Sequence, residues 1–408
     1  MSKKLSIVDL NIQGKRVLMR VDFNVPQDEN CLITDDTRIR AVIPSISYII
    51  DQGGSVVLMS HLGRPKGTRV EKMSLKPCAE RLSEILKRPV KLSSDCVGAE
   101  SEALSSSLEP GQILLLENLR FHAAETKPEK DPSFTEKLSK HGDLYVNDAF
   151  GTAHRDHSST AKITAFFEGK SAFGFLLEKE IKFLGKYLFD PQKPFYAIIG
   201  GAKVSSKIGV IQSLLNKVDT LIIVGGMAYT FLKAQGINVG DSLCEESHIQ
   251  TAKDILKSCE EKGVELIFPQ DFVVADTFSN DAITKIVPSQ SGIEDSWQGL
   301  DIGPSTIAML EEKLQLAKLI FWNGPAGVFE FSNFSKGTFA LAKSLSQSSA
   351  ITIVGGGDSA AAIKQSGLEE QIDHLSTGGG ACLEYIEFGS LPGIEALSEK
   401  SSAKTLSS

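Results

Sequence analysis

The six cysteines among 408 residues are scattered as Cys31, Cys78, Cys96, Cys244, Cys259 and Cys382, with no C-x-x-C pair and no histidine at metal-ligand spacing. That spread excludes a disulfide framework or zinc-finger scaffold, and the thiols are read as buried or free. Long apolar runs are missing too. Nothing approaches the roughly 18 apolar residues that cross a bilayer. The segment MSKKLSIVDLN has no apolar signal core, so a cytosolic protein away from membranes is expected. Positive charge is not in excess: 43 Lys+Arg against 51 Asp+Glu give a formal net charge of -8. Nonspecific nucleic-acid binding needs a basic surface that releases counterions from phosphate, so no nucleic-acid partner is expected. There is no G-x-S-x-G elbow. The nearest approach to a GxxxxGK[ST] loop, ending at Gly169-Lys170-Ser171, has Thr164 in place of its first glycine. An elbow-type hydrolase and a P-loop kinase are left without support.

What is present is a repeating rhythm. Short aliphatic runs end at glycine or a polar loop and are followed by longer segments of helical period. Lys15–Val21, Ser55–Met59, Ile113–Leu116 and Leu144–Val146 read as buried parallel strands, and a second set follows at Phe195–Ile199, Thr220–Val224, Glu265–Phe268, Leu319–Trp322 and Ile351–Val354. The expectation is an α/β protein of two lobes, each a parallel sheet with helices on both faces, and ligands at the carboxyl ends of the strands. Gly174–Leu188 has apolar residues at helical spacing and ends near Pro191 and Pro194, as a helical connector would. The domains are therefore placed at 1–173 and 190–390, with a hinge helix at 174–189 and a tail at 391–408. The last few residues of that Ser- and Lys-rich tail are expected to be disordered.

The strand-end loops differ between the halves. The first half collects Asp22-Phe23-Asn24, Arg38, His61-Leu62-Gly63-Arg64, Arg120 and His154-Arg155-Asp156-His157. Guanidinium forks suit carboxylate and phosphate oxygens, so this recurrence in an acidic chain points to a small polyanion. A metal site on His61, His154 and His157 is the alternative, disfavoured because the neighbouring arginines repel a cation. The second half is rich in glycine at Gly200-Gly201, Gly225-Gly226, Gly324–Gly327, Gly355–Gly357 and Gly378–Gly380. Glycines there let a phosphate approach backbone N–H groups at helix starts. Gly355–Ala360 also fits the G-x-G-x-x-A pattern of dinucleotide folds, which alone is a weak signal.

An anion site and a nucleotide site joined by a connector suggest phosphoryl transfer, which relies on positioning and fixed cations. Lys203, Lys207 and Arg38 supply cations, and Asp358 a metal ligand. No general base stands out. None is needed if the acceptor is a carboxylate, already ionised near pH 7.

Nine strings carry a resemblance: RVDFNVP (Arg20–Pro26), SHLGRP (Ser60–Pro65), LLLENLRF (Leu114–Phe121), NDAFGTAHR (Asn147–Arg155), GGAKVSSKI (Gly200–Ile208), GLDIGP (Gly299–Pro304), WNGPAGVFE (Trp322–Glu330), GGGDS (Gly355–Ser359) and STGGGACLE (Ser376–Glu384). From about residue 7 to residue 397, in order and spacing, the chain resembles phosphoglycerate kinases. The resemblance implies reversible transfer between 1,3-bisphosphoglycerate plus ADP and 3-phosphoglycerate plus ATP, with Mg2+, by a cytosolic glycolytic monomer. It implies that Asp22, Phe23, Asn24, Arg38, His61, Leu62, Gly63, Arg64, Arg120 and Arg155 hold the phosphoglycerate, with Arg38 also steadying the transferred group. Lys203 and Lys207 would contact nucleotide phosphates and the migrating phosphoryl. Gly299, Asn323, Glu330, Gly356, Gly357, Asp358 and Ser359 would line the nucleotide site, with Asp358 on the metal and Glu330 on the ribose. The connector and Leu391–Leu397 would form a hinge whose closure excludes water.

Four positions depart from the family's usual residues: Ser359 for threonine, Cys382 for serine, Ala326 for methionine and Asp156 for a small residue. Ser359 keeps the hydroxyl. An accessible Cys382 thiolate would make the protein oxidant-sensitive, whereas a buried thiol is inert. Asp156 beside Arg155 is expected to weaken anion binding if it draws the guanidinium aside. A non-catalytic binding module and a dinucleotide-dependent oxidoreductase are the alternative functions.

Overall fold

Aliphatic runs become strands where both faces can be covered, and Ser55–Met59, buried at every position, lies where the sequence places it. The computed structural model describes residues 3–400. The expected disorder of the final tail residues falls outside them. The strands are β1 (Arg16–Arg20), β2 (Ser55–Met59), β3 (Val90–Leu92), β4 (Ile113–Leu115), β5 (Leu144–Asn147), β6 (Ser171–Phe173), β7 (Phe195–Ile199), β8 (Thr220–Ile223), β9 (Glu265–Ile267), β10 (Asp271–Ala275), β11 (Thr284–Pro288), β12 (Gln298–Ile302), β13 (Leu319–Asn323), β14 (Ile351–Gly355) and β15 (His374–Leu375). The chain separates into two units, one running to Lys182 and resuming at Ser390, the other spanning Phe183–Gly389.

The first unit holds a parallel sheet in the order β3-β4-β2-β1-β5-β6. Val17, Met19, Val56, Leu58 and Val146 from its strands join Ile39, Ile46, Ile49 and Leu82 from the helices in one core. Register decides where the loops emerge. Arg20 pairs with Met59 on one side and Asn147 on the other, so the segments beginning at Val21, Ser60 and Asp148 leave the sheet together. The tail packs on this unit: the Leu5 amide donates to the Ser398 carbonyl at 2.8 Å and the Gly393 amide to the Ala153 carbonyl at 2.8 Å. The division between units falls within the helix Phe175–Phe189, in the region expected to form the connector.

In the second unit the parallel order is β15-β14-β13-β7-β8-β9. Here Asn323 pairs with Gly355 and Ile199, which brings the loops starting at Gly200, Gly324 and Gly356 side by side. A second, antiparallel sheet in the order β11-β10-β12 adds to this arrangement. This sheet is not among the expected elements: β11 has no buried residue and lacks the apolar run that marks the parallel strands.

Candidate functional site

The loops that leave β1, β2 and β4 set up a charged network in the first unit. Arg38, in the short helix Thr37–Ala41, donates through Nη1 to Asp22 Oδ2 at 2.9 Å and to the Asn24 carbonyl at 3.1 Å. Burial alone would raise the Asp22 carboxyl, yet Arg38 and Arg20 around it hold it below its ordinary range. The Asn24 side chain accepts from the Gly63 amide at 2.8 Å, and Arg120 Nη1 donates to the Gly63 carbonyl at 2.8 Å. The β1, β2 and β4 loops are thereby tied together, with Gly63 at φ 64°, a left-handed value that glycine adopts without strain. Arg64 and Arg155 are exposed. Phe23 and Leu62 instead lie in the core. They fix the loops rather than offering side chains to a ligand.

Three histidines border the network, and none is held as a cation. Burial pushes His61 well below its ordinary value and takes His154 and His157 down to about 4, with nearby arginines adding to the effect. Among the described residues the one cluster of three metal-type donors is Asp95, Cys96 and His122, so His61, His154 and His157 are not gathered as a metal site. Asp156 pairs with Lys162 at 2.5 Å rather than drawing Arg155 aside.

In the second unit a cleft of about 200 Å³ opens among Lys207, Asn323, Gly324, Gly356, Gly357, Asp358, Ser359, Gly379, Gly380 and Leu383. Lys207 Nζ donates to the Asn323 side-chain carbonyl, whose amide group donates to the Gly355 carbonyl at 2.7 Å. Burial lowers the Lys207 ammonium to about 8, against the opposing pull of Asp358. Asp358 is exposed in the first turn of the helix Gly357–Gln365, whose start favours negative charge. The Ser359 hydroxyl accepts from the Gly324 amide at 2.7 Å, so serine supplies the group that a threonine would. Cys382 is fully buried, which matches the inert alternative for its thiol.

Two glycines have separate causes. At Gly324, φ is 96° and a Cβ would stand 2.2 Å from the Gly200 carbonyl oxygen, so the β7 and β13 loops need glycine to pack on each other. At Gly357 nothing lies within 4 Å, and the open space faces the cleft.

Lys203, Gly299 and Glu330 do not line this cleft. Lys203 and Glu330 are exposed, and Gly299 sits in β12, where its amide donates to Ser242 Oγ at 2.9 Å. Gly379, Gly380 and Leu383 do line it. The glycine loop was visible in the sequence, but nothing there distinguished its residues as a wall of the cleft. Arg20, Glu125 and Ser159, buried behind the first network, were also absent from the candidates. Arg20 stands inside the first of the nine strings. Glu125 and Ser159 carry no local signal.

Comparison with known proteins covers nearly the whole chain. The family model for phosphoglycerate kinase matches residues 7–388. A phosphoglycerate kinase of Chloroherpeton thalassium is 51% identical over 97% of this chain and 99% of its own length. A wheat (Triticum aestivum) relative named as the cytosolic phosphoglycerate kinase is 52% identical over 96% of this chain and 97% of its own. The solved phosphoglycerate kinase of Coxiella burnetii superposes with a TM-score of 0.83 at 41% identity, covering 96% of this chain and 98% of that one. Gly355–Ala360 does form a strand-to-helix turn, yet it belongs to this same matched fold, and the dinucleotide reading is not favoured. With the arginine network, the glycine-walled cleft and a match that runs nearly end to end, the chain belongs to the phosphoglycerate kinase family.

Proposed function

We propose that the chain catalyses reversible phosphoryl transfer between 1,3-bisphosphoglycerate plus ADP and 3-phosphoglycerate plus ATP, the glycolytic reaction of its family. The observation that carries this reading is that both an arginine-rich anion site and a lysine-bearing glycine cleft stand on one chain matched at nearly full length. Its substrates are small molecules.

The residue roles follow from charge and place. Asp22, Asn24, His61, Arg64, Arg120 and Arg155 bind the phosphoglycerate, with Phe23, Leu62 and Gly63 shaping the loops. Arg38 steadies the transferred group, while Lys203 and Lys207 neutralise charge that develops on it. Asn323, Gly356, Gly357 and Ser359 shape the nucleotide-phosphate cleft, and Gly299 and Glu330 serve the nucleoside. One exposed carboxylate in a polar cleft fits Mg2+, which keeps several waters and takes one or two carboxylates beside substrate phosphates. Asp358 would hold it, and the ion would supply charge neutralisation between nucleotide phosphates. The acceptor carboxylate is ionised near neutral pH, so no side chain has to remove a proton.

Domains at 1–173 and 190–390 act as substrate and nucleotide domains, and bending within 174–189 with the tail at 391–408 brings the two ligands together and excludes water. The enzyme works as a cytosolic monomer without protein or nucleic-acid partners. Among the described residues no helix is long and apolar enough to cross a membrane.

The deciding test is turnover of magnesium-ATP by the purified protein with and without 3-phosphoglycerate, coupled to a dehydrogenase that consumes the acyl phosphate. Turnover that requires 3-phosphoglycerate is the expected result. Binding of both ligands without turnover would overturn the kinase in favour of a non-catalytic module.

A further inference from the structure

Behind the basic loops runs a buried chain of hydrogen bonds that none of the roles above uses. Glu125, in the short helix Ala123–Thr126, is fully buried. Its Oε1 accepts from Ser159 Oγ at 2.6 Å and its Oε2 from the Ser159 amide at 3.1 Å. Ser159 Oγ in turn accepts from Arg20 Nε at 2.8 Å. A hydroxyl has one proton, so a serine that gives it to a carboxylate turns its lone pair to the guanidinium. The direction of the chain is therefore set.

Arg20 also donates to the Val21 carbonyl, and its Nη2 lies 3.2 Å from His61 Nδ1. A guanidinium can only donate. Nδ1 therefore holds a lone pair and the ring proton sits on Nε2. A competitor faces the same nitrogen, because Asp22 Oδ1 stands 3.7 Å from it and would favour a proton there. Arg20 is the nearer partner. The charged groups around His61 are Asp22 and Arg20, with Arg120 and Arg38 beyond, and burial keeps the ring neutral.

We infer that Glu125 and Ser159 are positioning residues of the phosphoglycerate site: through Arg20 they hold His61 as the neutral Nε2–H tautomer, a hydrogen-bond donor to the substrate. This rests on the role proposed above for His61. The other roles assigned there stand or fall separately.

Two readouts test it in the full-length protein. Nitrogen-15 NMR of the His61 ring at neutral pH is expected to show an unprotonated Nδ1 in the wild type. In Ser159→Ala, Arg20 Nε loses its side-chain acceptor while the bond to the Val21 carbonyl remains, and a proton is expected to appear on Nδ1, facing Asp22. The same variant is expected to raise KM for 3-phosphoglycerate by about tenfold, the cost of one charge-assisted hydrogen bond. KM for magnesium-ATP should be unchanged. Glu125→Gln should act in the same direction, and Ser159→Thr, which keeps the hydroxyl, should restore both readouts. A wild-type ring protonated on Nδ1 would overturn the inference, and that measurement needs no variant to fold. So would a wild-type tautomer and KM in both Ser159→Ala and Glu125→Gln. Because the NMR arm uses no substrate, absence of 3-phosphoglycerate-dependent turnover in the wild type refutes the kinase reading, whereas the wrong tautomer refutes this one.

Discussion

Arg38 and Asp22 form an oriented pair, with Nη1 donating to Oδ2 at 2.9 Å while the Asn24 carbonyl takes a second bond at 3.1 Å. The guanidinium is thus held before any phosphoryl group arrives, which lowers the reorganisation needed when charge develops. Arg38→Ala is expected to reduce kcat by roughly two to three orders of magnitude, the usual loss for one preorganised charge-stabilising donor. KM for 3-phosphoglycerate should change far less. Steady-state kinetics over both substrates checks this, and a large rise in KM with kcat intact would reduce Arg38 to a binding residue.

Lys207 makes a pH-dependent prediction. Its ammonium is lowered to about 8 by burial, so the cation is complete well below that pH and is lost as pH rises through it. The value of kcat/KM for the nucleotide, which reports the free enzyme, should therefore fall on the alkaline side with a midpoint near 8. Lys207→Arg keeps its charge throughout that range and should remove this limb, though its planar fork will not reproduce the ammonium geometry. An identical alkaline limb in the variant would assign the titration to another group.

Asp358 is a single exposed carboxylate at a helix start, a weak metal ligand unless nucleotide phosphates complete the site. Asp358→Asn is expected to raise the magnesium concentration for half-maximal activity by about tenfold or more while leaving 3-phosphoglycerate affinity unaltered. Titration of magnesium at fixed nucleotide reads this directly. An unaltered magnesium requirement would remove Asp358 from the metal site.

What was legible in the sequence was what repeats along it. The runs that became β1, β2, β4, β5, β7, β8, β13 and β14 announce themselves by near-continuous apolar content, since a parallel strand buried on both faces has no polar side, whereas the edge strand β9 shows only through the apolar residues that run on from Leu266 to Phe268. The antiparallel sheet escaped because β11 buries none of its residues fully, β3 because Lys91 interrupts its two apolar residues, and β6 because only Ala172 and Phe173 form its apolar run. Site residues on strand-end loops were visible as arginines and glycines. Glu125 and Ser159 were not, because 34 positions separate them and only the fold aligns the carboxylate with the hydroxyl. Gly324 shows a related limit: its glycine reads as room for a ligand, while the structure places the Gly200 carbonyl there.

Asp148 carries the last prediction, which concerns stability. It is fully buried beside the start of the helix Phe175–Phe189, with Oδ1 accepting from the Leu177 amide at 2.9 Å and Oδ2 without a hydrogen-bond partner among the described residues. Burial raises this carboxyl from 3.8 to about 7, only partly opposed by its hydrogen bonds. The folded protein consequently keeps a proton that the unfolded chain releases near pH 4. Between that pH and about 7 the folded state binds more protons, so this group's contribution to stability falls as pH rises and levels off above the folded value. Asp148→Asn retains an oxygen for the Leu177 amide and removes the buried charge. It is expected to be more stable than the wild type at pH 8, by a few kcal/mol, and to match it near pH 4. Chemical denaturation across that range measures the difference between the two curves, which isolates Asp148 from the buried histidines and Asp301 that titrate in both proteins. A constant offset between the curves would mean that Asp148 is ionised in the folded protein throughout.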